Sequence, residues 1–182
     1  MQNLVLLRRE CDESCSLFAK IAALFRKLKS ANSLCTKYNI PHDMLDLEIT
    51  ESVLNDNVGY IKRECDRMIK LGYHIWLDDF GSGYSSLNTI AEYEFHVLKL
   101  DLVFLKNLKH NPKTRTLMTY IINGAKEMGL SPLCEGVETA EQYEFLKTTG
   151  CERAQGFYFG KAMPMNETRE FTRAKGMFWE KS

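Results

Sequence analysis

The chain has 182 residues, of which 45% are hydrophobic and 26% charged, and its 24 basic residues balance its 24 acidic residues. This composition is typical of an ordinary globular domain with enough apolar material for one core. The zero net charge gives no sign of a basic surface, so no DNA partner is expected. No apolar run reaches the roughly 18 residues of a membrane helix, and a cytoplasmic protein without a membrane segment is expected.

The cysteines favour the same location, because no two of them form a Cys-x-x-Cys pair. They are Cys11, Cys15, Cys35, Cys65, Cys134 and Cys151. Without a secretion signal before them, they are interpreted as reduced thiols rather than a disulfide framework.

The N-terminal segment, residues 1–37, is expected to be mostly helical. Apolar side chains recur there at three- and four-residue steps, at Leu17, Ile21, Leu24, Phe25 and Leu28. This spacing predicts a helix over residues 13–38. The apolar run at residues 4–7 fits either a short strand or a frayed helix. Residues 38–182 are predicted to form a single domain.

Short apolar strands alternate with helical segments after residue 40. Strands are predicted at residues 44–50, 73–79, 97–101 and 154–159, and residues 132–137 are predicted to be a strand followed by a loop. Helices are predicted at residues 57–70, 85–93, 113–128, 140–148 and 166–178. This alternation is typical of parallel βα units.

The second predicted strand ends in two adjacent carboxylates, Asp78 and Asp79. Burying two like charges side by side is costly, whereas a divalent cation reverses that cost because hard cations take oxygen ligands. The alternative is a simple turn, in which Asp and Gly are common. The local residues leave both interpretations open.

All five predicted strands end in polar residues. These residues are Glu48, Asp78 with Asp79, Lys99 followed by Asp101, Glu135, and Gln155. The carboxyl ends of parallel strands lie on one face, where barrel enzymes hold their catalytic residues. A single site at this edge is therefore predicted.

The predicted site has the chemistry of a divalent-metal centre. Carboxylates could hold one or two Mg²⁺ or Mn²⁺ ions, and Lys99 could counter negative charge on a substrate. Such centres suit in-line attack of water on a phosphodiester. The alternative for Lys99 is a structural ion pair with Asp101 or Asp79.

Five segments of the chain resemble the EAL domain family in their order and spacing. They are Leu47–Ser52, Asp78–Leu87, Lys99–Asp101, Glu135–Thr139 and Gln155–Phe157. The resemblance covers about residues 38–170 and implies an α/β fold, a (β/α) barrel of the TIM type. It also implies hydrolysis of cyclic di-GMP to pGpG with Mg²⁺ or Mn²⁺, cyclic di-GMP as the ligand, and a possible homodimer.

The resemblance also implies roles for individual residues. Glu135 would be the general base, and Lys99 would orient the water or the scissile phosphate. The metal ligands would be Glu48, Asp78, Asp79 and Gln155. The residues that support them from outside would be Glu51, Glu138 and Asp101. The substrate loop would contain Phe80, Gly81, Ser82, Gly83, Tyr84 and Ser85. For Glu51 and Glu138 the alternative is plain surface charge near helix starts.

The chain departs from the family pattern near the start of the barrel. The Glu-Ala-Leu motif does not occur in it, and the stretch Ser14–Leu17 lacks the family's Asn. Two expected ligands of the first metal are therefore absent. Leu102 and Ala162 stand where the family usually has Arg and Pro.

These departures predict an incomplete barrel, with about five of the eight strands present, because a full barrel needs about 250 residues. Its open edges would be covered by residues 3–7, by the N-terminal helix or by a partner. Losing one catalytic group typically costs a factor of about 10²–10³ in rate. We therefore expect weak or no hydrolysis, and the alternative is a non-catalytic module that binds cyclic di-GMP or a protein.

Overall fold

The structure is a computed structural model that describes residues 30–54, 58–83, 87–109 and 111–176. Its strands are β1 (Asp46–Thr50), β2 (His74–Phe80), β3 (Val97–Leu100), β4 (Ser131–Cys134) and β5 (Arg153–Ala154). They form one parallel sheet in the order β1-β2-β3-β4-β5, so each strand pairs with its neighbours in the sequence. The predicted α/β class and the five parallel strands are confirmed.

Helices follow the strands along the chain. They are α1 (described over 30–38), α2 (Glu51–Leu54), α3 (Val58–Lys70), α4 (Leu87–Glu92), α5 (Leu102–Asn107), α6 (Pro112–Glu127), α7 (Ala140–Thr149) and α8 (Met165–Ala174). A 3₁₀ turn at His42–Met44 precedes β1. None of the helices in the described ranges has the length and apolar character needed to cross a membrane.

Most of the core lies between the sheet and its helices. Alternate strand residues point to this side, among them Leu77, Leu98 and Leu100, which are all 0% exposed. Burying each such side chain contributes about 1.5–3 kcal/mol. A smaller buried cluster of Trp76, Val97 and Leu133 is separate from the core on the helix side.

The helix before the last strand has well-defined ends. The Thr139 side chain accepts a hydrogen bond from the backbone of Gln142, and the Gln142 side chain accepts one from the backbone of Thr139. This reciprocal capping box starts α7, and Gly150 ends it with a φ of 68°. The cap fixes where the chain turns after β4, which is where Glu135 lies.

Two parts of the predicted secondary structure need correction. The strand predicted over residues 154–159 ends at Ala154, because the chain then turns: Phe159 N donates to Gly156 O at 3.1 Å. A Cβ on Gly156 would lie 2.1 Å from Val137 O, so the two backbones touch there. The short helices α2 and α5 were not predicted, since four and six residues are too few to show a helical period.

Several predictions lie outside the described residues. They concern the apolar run at 4–7, the helix over 13–29 and the end of the last helix at 177–178.

Candidate functional site

The structure brings the polar strand-end residues to one edge of the sheet. Glu48 and Lys99 lie within β1 and β3, and Glu135 follows β4 directly. The Glu135 N–H donates to Leu100 O at 3.1 Å, and the Gln155 N–H donates to Cys134 O at 2.9 Å. The sheet hydrogen bonding therefore continues through both residues and fixes their backbone positions.

A bulge in β2 explains why both aspartates can face the site. Leu77 pairs with Leu98 and Phe80 pairs with Leu100, so Asp78 and Asp79 together lie opposite Lys99 alone. In a regular strand, adjacent side chains would point to opposite faces. Asp79 has a φ of 57°, and its N–H donates to Asp78 Oδ1 at 3.0 Å. The extra residue interrupts the alternation locally.

Three carboxylates come together as a result. Ligand-type oxygen atoms of Asp78, Asp79 and Glu135 all lie within 4.8 Å of one another. Hard oxygen donors at this spacing fit Mg²⁺ or Mn²⁺. Asp78 is 5% exposed, so part of this charge is buried.

Lys99 lies among the same carboxylates. Its Nζ is 2.7 Å from Asp78 Oδ1, 2.8 Å from Glu135 Oε1 and 3.0 Å from Glu48 Oε1. Burial lowers the pKa of Lys99, but hydrogen bonds with Asp78, Glu135 and Glu48 outweigh it, and the net pKa is raised. The lysine is therefore charged, and it compensates only part of the negative charge of the site.

The two remaining predicted ligands are not among the three clustered carboxylates. Glu48 is outside the group within 4.8 Å and enters the site through its ion pair with Lys99. The Gln155 residue follows β5 and is exposed. Their assignment as metal ligands stays a prediction.

The three residues expected to support the ligands have different environments. Glu51 starts α2 and is 2% exposed, so it is not a plain surface charge. Asp101 caps α5, where its Oδ1 accepts a hydrogen bond from Val103 N at 2.7 Å. Glu138 is exposed, and its N–H donates to Gln142 Oε1 at 2.8 Å.

The expected substrate loop begins one residue later than the sequence suggested. Phe80 was placed in this loop, but it is the last residue of β2, is 3% exposed and packs in the main core. The loop itself starts at Gly81, and Ser82 and Gly83 are exposed. Tyr84 and Ser85 lie outside the described residues.

Comparison with known proteins shows the family to which the chain belongs. The EAL domain family model matches residues 15–162. The chain is 33% identical over 136 residues to the cyclic di-GMP phosphodiesterase RocR of Pseudomonas aeruginosa, covering 75% of this chain and 35% of RocR. The family-model match begins at residue 15, inside the segment 1–37. The division of the chain at residue 37 therefore stays a prediction.

Solved structures give the same answer. The EAL domain of Mycobacterium smegmatis DcpA is 31% identical, with a TM-score of 0.74 over 82% of this chain and 67% of that one. A standalone EAL protein from Vibrio cholerae, in its c-di-GMP-bound form, is 31% identical, with a TM-score of 0.68 over 75% of this chain and 57% of that one.

Fold and site therefore define an α/β protein of the TIM-like type with a carboxylate-rich edge. The chain belongs to the EAL domain family. Its aligned part spans 16% to 35% of the length of the curated relatives it matches.

Proposed function

We propose that this chain carries the site of a metal-dependent cyclic di-GMP phosphodiesterase, which hydrolyses the dinucleotide to pGpG. The observation that carries the proposal is the cluster of Asp78, Asp79 and Glu135 within 4.8 Å beside the ammonium group of Lys99. RocR is named a cyclic di-GMP phosphodiesterase, and the Vibrio cholerae relative is described with c-di-GMP bound. Both names support the same substrate.

Asp78, Asp79 and Glu135 would hold the metal, with Glu48 and Gln155 as further candidate ligands. When bound, Mg²⁺ or Mn²⁺ supplies a Lewis acid that polarises a phosphodiester oxygen and lowers the pKa of water. Carboxylate oxygens are ligands that suit both manganese and magnesium.

The protein side chains supply the remaining chemistry. Glu135 is the candidate general base, because its carboxylate lies within 4.8 Å of both aspartates and can accept the proton of the attacking water. Lys99 keeps its proton and donates hydrogen bonds, so it can stabilise the negative charge that develops on the phosphate. Its placement between Asp78 and Glu135 keeps it at that position.

The second candidate is a binding module without hydrolysis. The sequence favours it at one point, since it contains no Glu-Ala-Leu motif and therefore no motif carboxylate from the start of the barrel. Weak or absent turnover is thus the expected behaviour of the chain by itself. The homodimer and the cytoplasmic location stay predictions.

The test uses the purified full chain with cyclic di-GMP and Mn²⁺. Calorimetry measures binding of the metal and of the dinucleotide, and chromatography follows pGpG. Glu135→Gln removes the base and one ligand charge while keeping the shape of the side chain. Lys109→Gln, a surface change on a side chain that is 62% exposed, is the control.

The outcomes separate the two candidates. Turnover in the native chain that is lost in Glu135→Gln and kept in Lys109→Gln supports the phosphodiesterase. Saturable dinucleotide binding without any turnover supports the binding module. A chain that binds neither Mn²⁺ nor cyclic di-GMP contradicts both.

A further inference from the structure

The helix α5 packs against the two loops that directly follow the site carboxylates, one after β2 and one after Glu135. It begins directly after β3, where the Asp101 N–H donates to Phe80 O at 3.1 Å and the Asp101 carboxylate caps the helix. One end of α5 is thereby tied to the end of β2, beside the bulge that holds Asp78 and Asp79. No role for this helix followed from the sequence patterns.

Side chains of α5 touch a glycine in each loop. A Cβ on Gly81, two residues after Asp79, would lie 2.1 Å from Cε2 of Phe104. A Cβ on Gly136, the residue after Glu135, would lie 2.4 Å from Cβ of Leu102. Such distances mean that each glycine backbone packs against α5 with no room for a side chain.

The far end of α5 is held as firmly as its start. Leu105 and Leu108 are 1% and 5% exposed and pack in the core beneath the helix. Leu105 O accepts a hydrogen bond at 3.3 Å from Nε2 of Gln142, the residue that caps α7. The loop after Glu135 therefore contacts α5 at one end and is linked to it through Gln142 at the other.

We propose that α5 is a spacer that sets the distance between the loop at Gly81 and the loop at Gly136, with Phe104 and Leu102 as positioning residues for the metal site. The proposal rests on the proposed function, since it concerns the affinity of that same site. Asp79 and Glu135 belong to different strands, and β3 lies between them in the sheet. Besides the sheet, the packing of both loops against α5 is a second link that constrains the distance between their oxygen atoms. Residues that orient metal ligands typically change metal affinity by about 10–100-fold when removed.

The first test compares two truncations of a phenylalanine in the same core. Phe104→Ala removes the contact with Gly81, whereas Phe145→Ala removes a partly buried ring of α7 that packs on the same cluster. Calorimetry with Mn²⁺ alone and thermal melting are measured for both variants and the native chain. We expect the Mn²⁺ dissociation constant to rise about tenfold or more in Phe104→Ala and less than about twofold in Phe145→Ala. Phe104→Leu should recover most of the Mn²⁺ affinity. If the alanine variant fails to fold, the leucine variant replaces it in the comparison with the native chain.

The second test changes the glycine of the same contact instead of the phenylalanine. Gly81→Ala places a methyl group against Phe104, while Gly83→Ala lies in the same loop with open space around it. Both glycines have positive φ, 97° and 129°, so both variants carry backbone strain. A larger loss of Mn²⁺ affinity in Gly81→Ala, reduced in the double variant Gly81→Ala/Phe104→Ala, supports the spacer.

Two results would overturn the proposal, and they differ from each other. If the native chain binds Mn²⁺ and Phe104→Ala and Phe104→Leu bind it equally well, α5 does not position the ligands, although the metal site stands. If the native chain binds no Mn²⁺, the proposed metal site itself fails, and the spacer fails with it.

Discussion

The ammonium group of Lys99 lies 2.7 Å from the carboxylate of Asp78, and the two side chains are only 6% and 8% exposed. A buried ion pair contributes little net stability, but removing one partner leaves an uncompensated charge, which costs about 3–5 kcal/mol. We therefore expect Lys99→Met to lower the free energy of unfolding at pH 7 by about that amount. Urea denaturation followed by circular dichroism measures it.

The control for this variant is Lys109→Met, because the ion pair of Lys109 with Glu141 is 3.6 Å long and exposed. Its effect should stay within about 0.5 kcal/mol. Equal effects of the two variants would contradict the stabilising role of Lys99. Mn²⁺ should raise the free energy of unfolding more in Lys99→Met than in Lys109→Met, since a bound cation replaces the missing positive charge.

Because Asp79 has a left-handed backbone, two variants at this position can distinguish an effect on stability from an effect on metal binding. Its φ of 57° lies in the left-handed region, where Gly has no steric penalty and Ala costs about 1–2 kcal/mol. We expect the free energy of unfolding of Asp79→Gly to exceed that of Asp79→Ala by about this margin. Both variants should bind Mn²⁺ more weakly than the native chain. Thermal melts and Mn²⁺ titrations of the two variants check this. A glycine variant less stable than the alanine variant would argue against the bulge geometry.

His96 should make the protein less stable at mildly acidic pH. Its Nδ1 lies 3.2 Å from Ile75 N and accepts the backbone hydrogen bond. The Nδ1 atom can do so only when it carries no proton. Burial, aided by the nearby His74, lowers the pKa of His96 below its ordinary 6.5. The unfolded chain therefore takes up this proton more readily. The contribution of His96 to the free energy of unfolding is complete above pH 6.5. It is lost as the pH falls towards the lower pKa that His96 has in the folded chain.

The measurement is the urea midpoint at pH 7.5 and at pH 5. His96→Asn keeps an oxygen that can accept from Ile75 N but does not titrate. The fall in the midpoint between the two pH values should be smaller in this variant than in the native chain. An identical fall would show that groups other than His96 dominate the acid response, and Asp46 is not one of them, because its raised pKa makes acidification favour the folded chain.

The cysteines should differ in their reactivity. Cys65 is 4% exposed, and burial together with the nearby Asp66 raises its pKa to about 12. A hydrogen bond from Cys134 lowers the pKa of Cys151, which is also partly exposed. We expect iodoacetamide at pH 7.5 to modify Cys151 at least about tenfold faster than Cys65.

Peptide mapping by mass spectrometry assigns each modified thiol. Unfolding in urea should remove the difference, because both thiols then have ordinary surroundings. Faster labelling of Cys65 in the folded chain would mean that the core around α3 opens readily.

The sequence predicted which strand ends carry the site, because a polar residue after a short apolar run is a local signal. It placed Glu48, Asp78, Lys99 and Glu135 at one edge, and the structure brings them together. The bulge was beyond such reasoning, since it depends on how Leu77 and Phe80 pair with β3.

Two further features depended on tertiary structure. Phe80 stands beside a glycine-rich loop in the sequence, yet the register of β2 carries it into the core. The contacts of α5 with Gly81 and Gly136 join residues far apart in the chain, and a six-residue helix gives no period to detect them.

The order of the sheet has a consequence for how the chain folds. Because every described strand pairs only with its neighbours in the sequence, the sheet can grow by adding one βα unit at a time, and each addition closes one crossover. The three clustered carboxylates come from β2 and from the residue after β4, so the ion-binding geometry exists only once three adjacent strands have docked. A divalent ion should therefore slow unfolding and leave the early steps of folding unchanged.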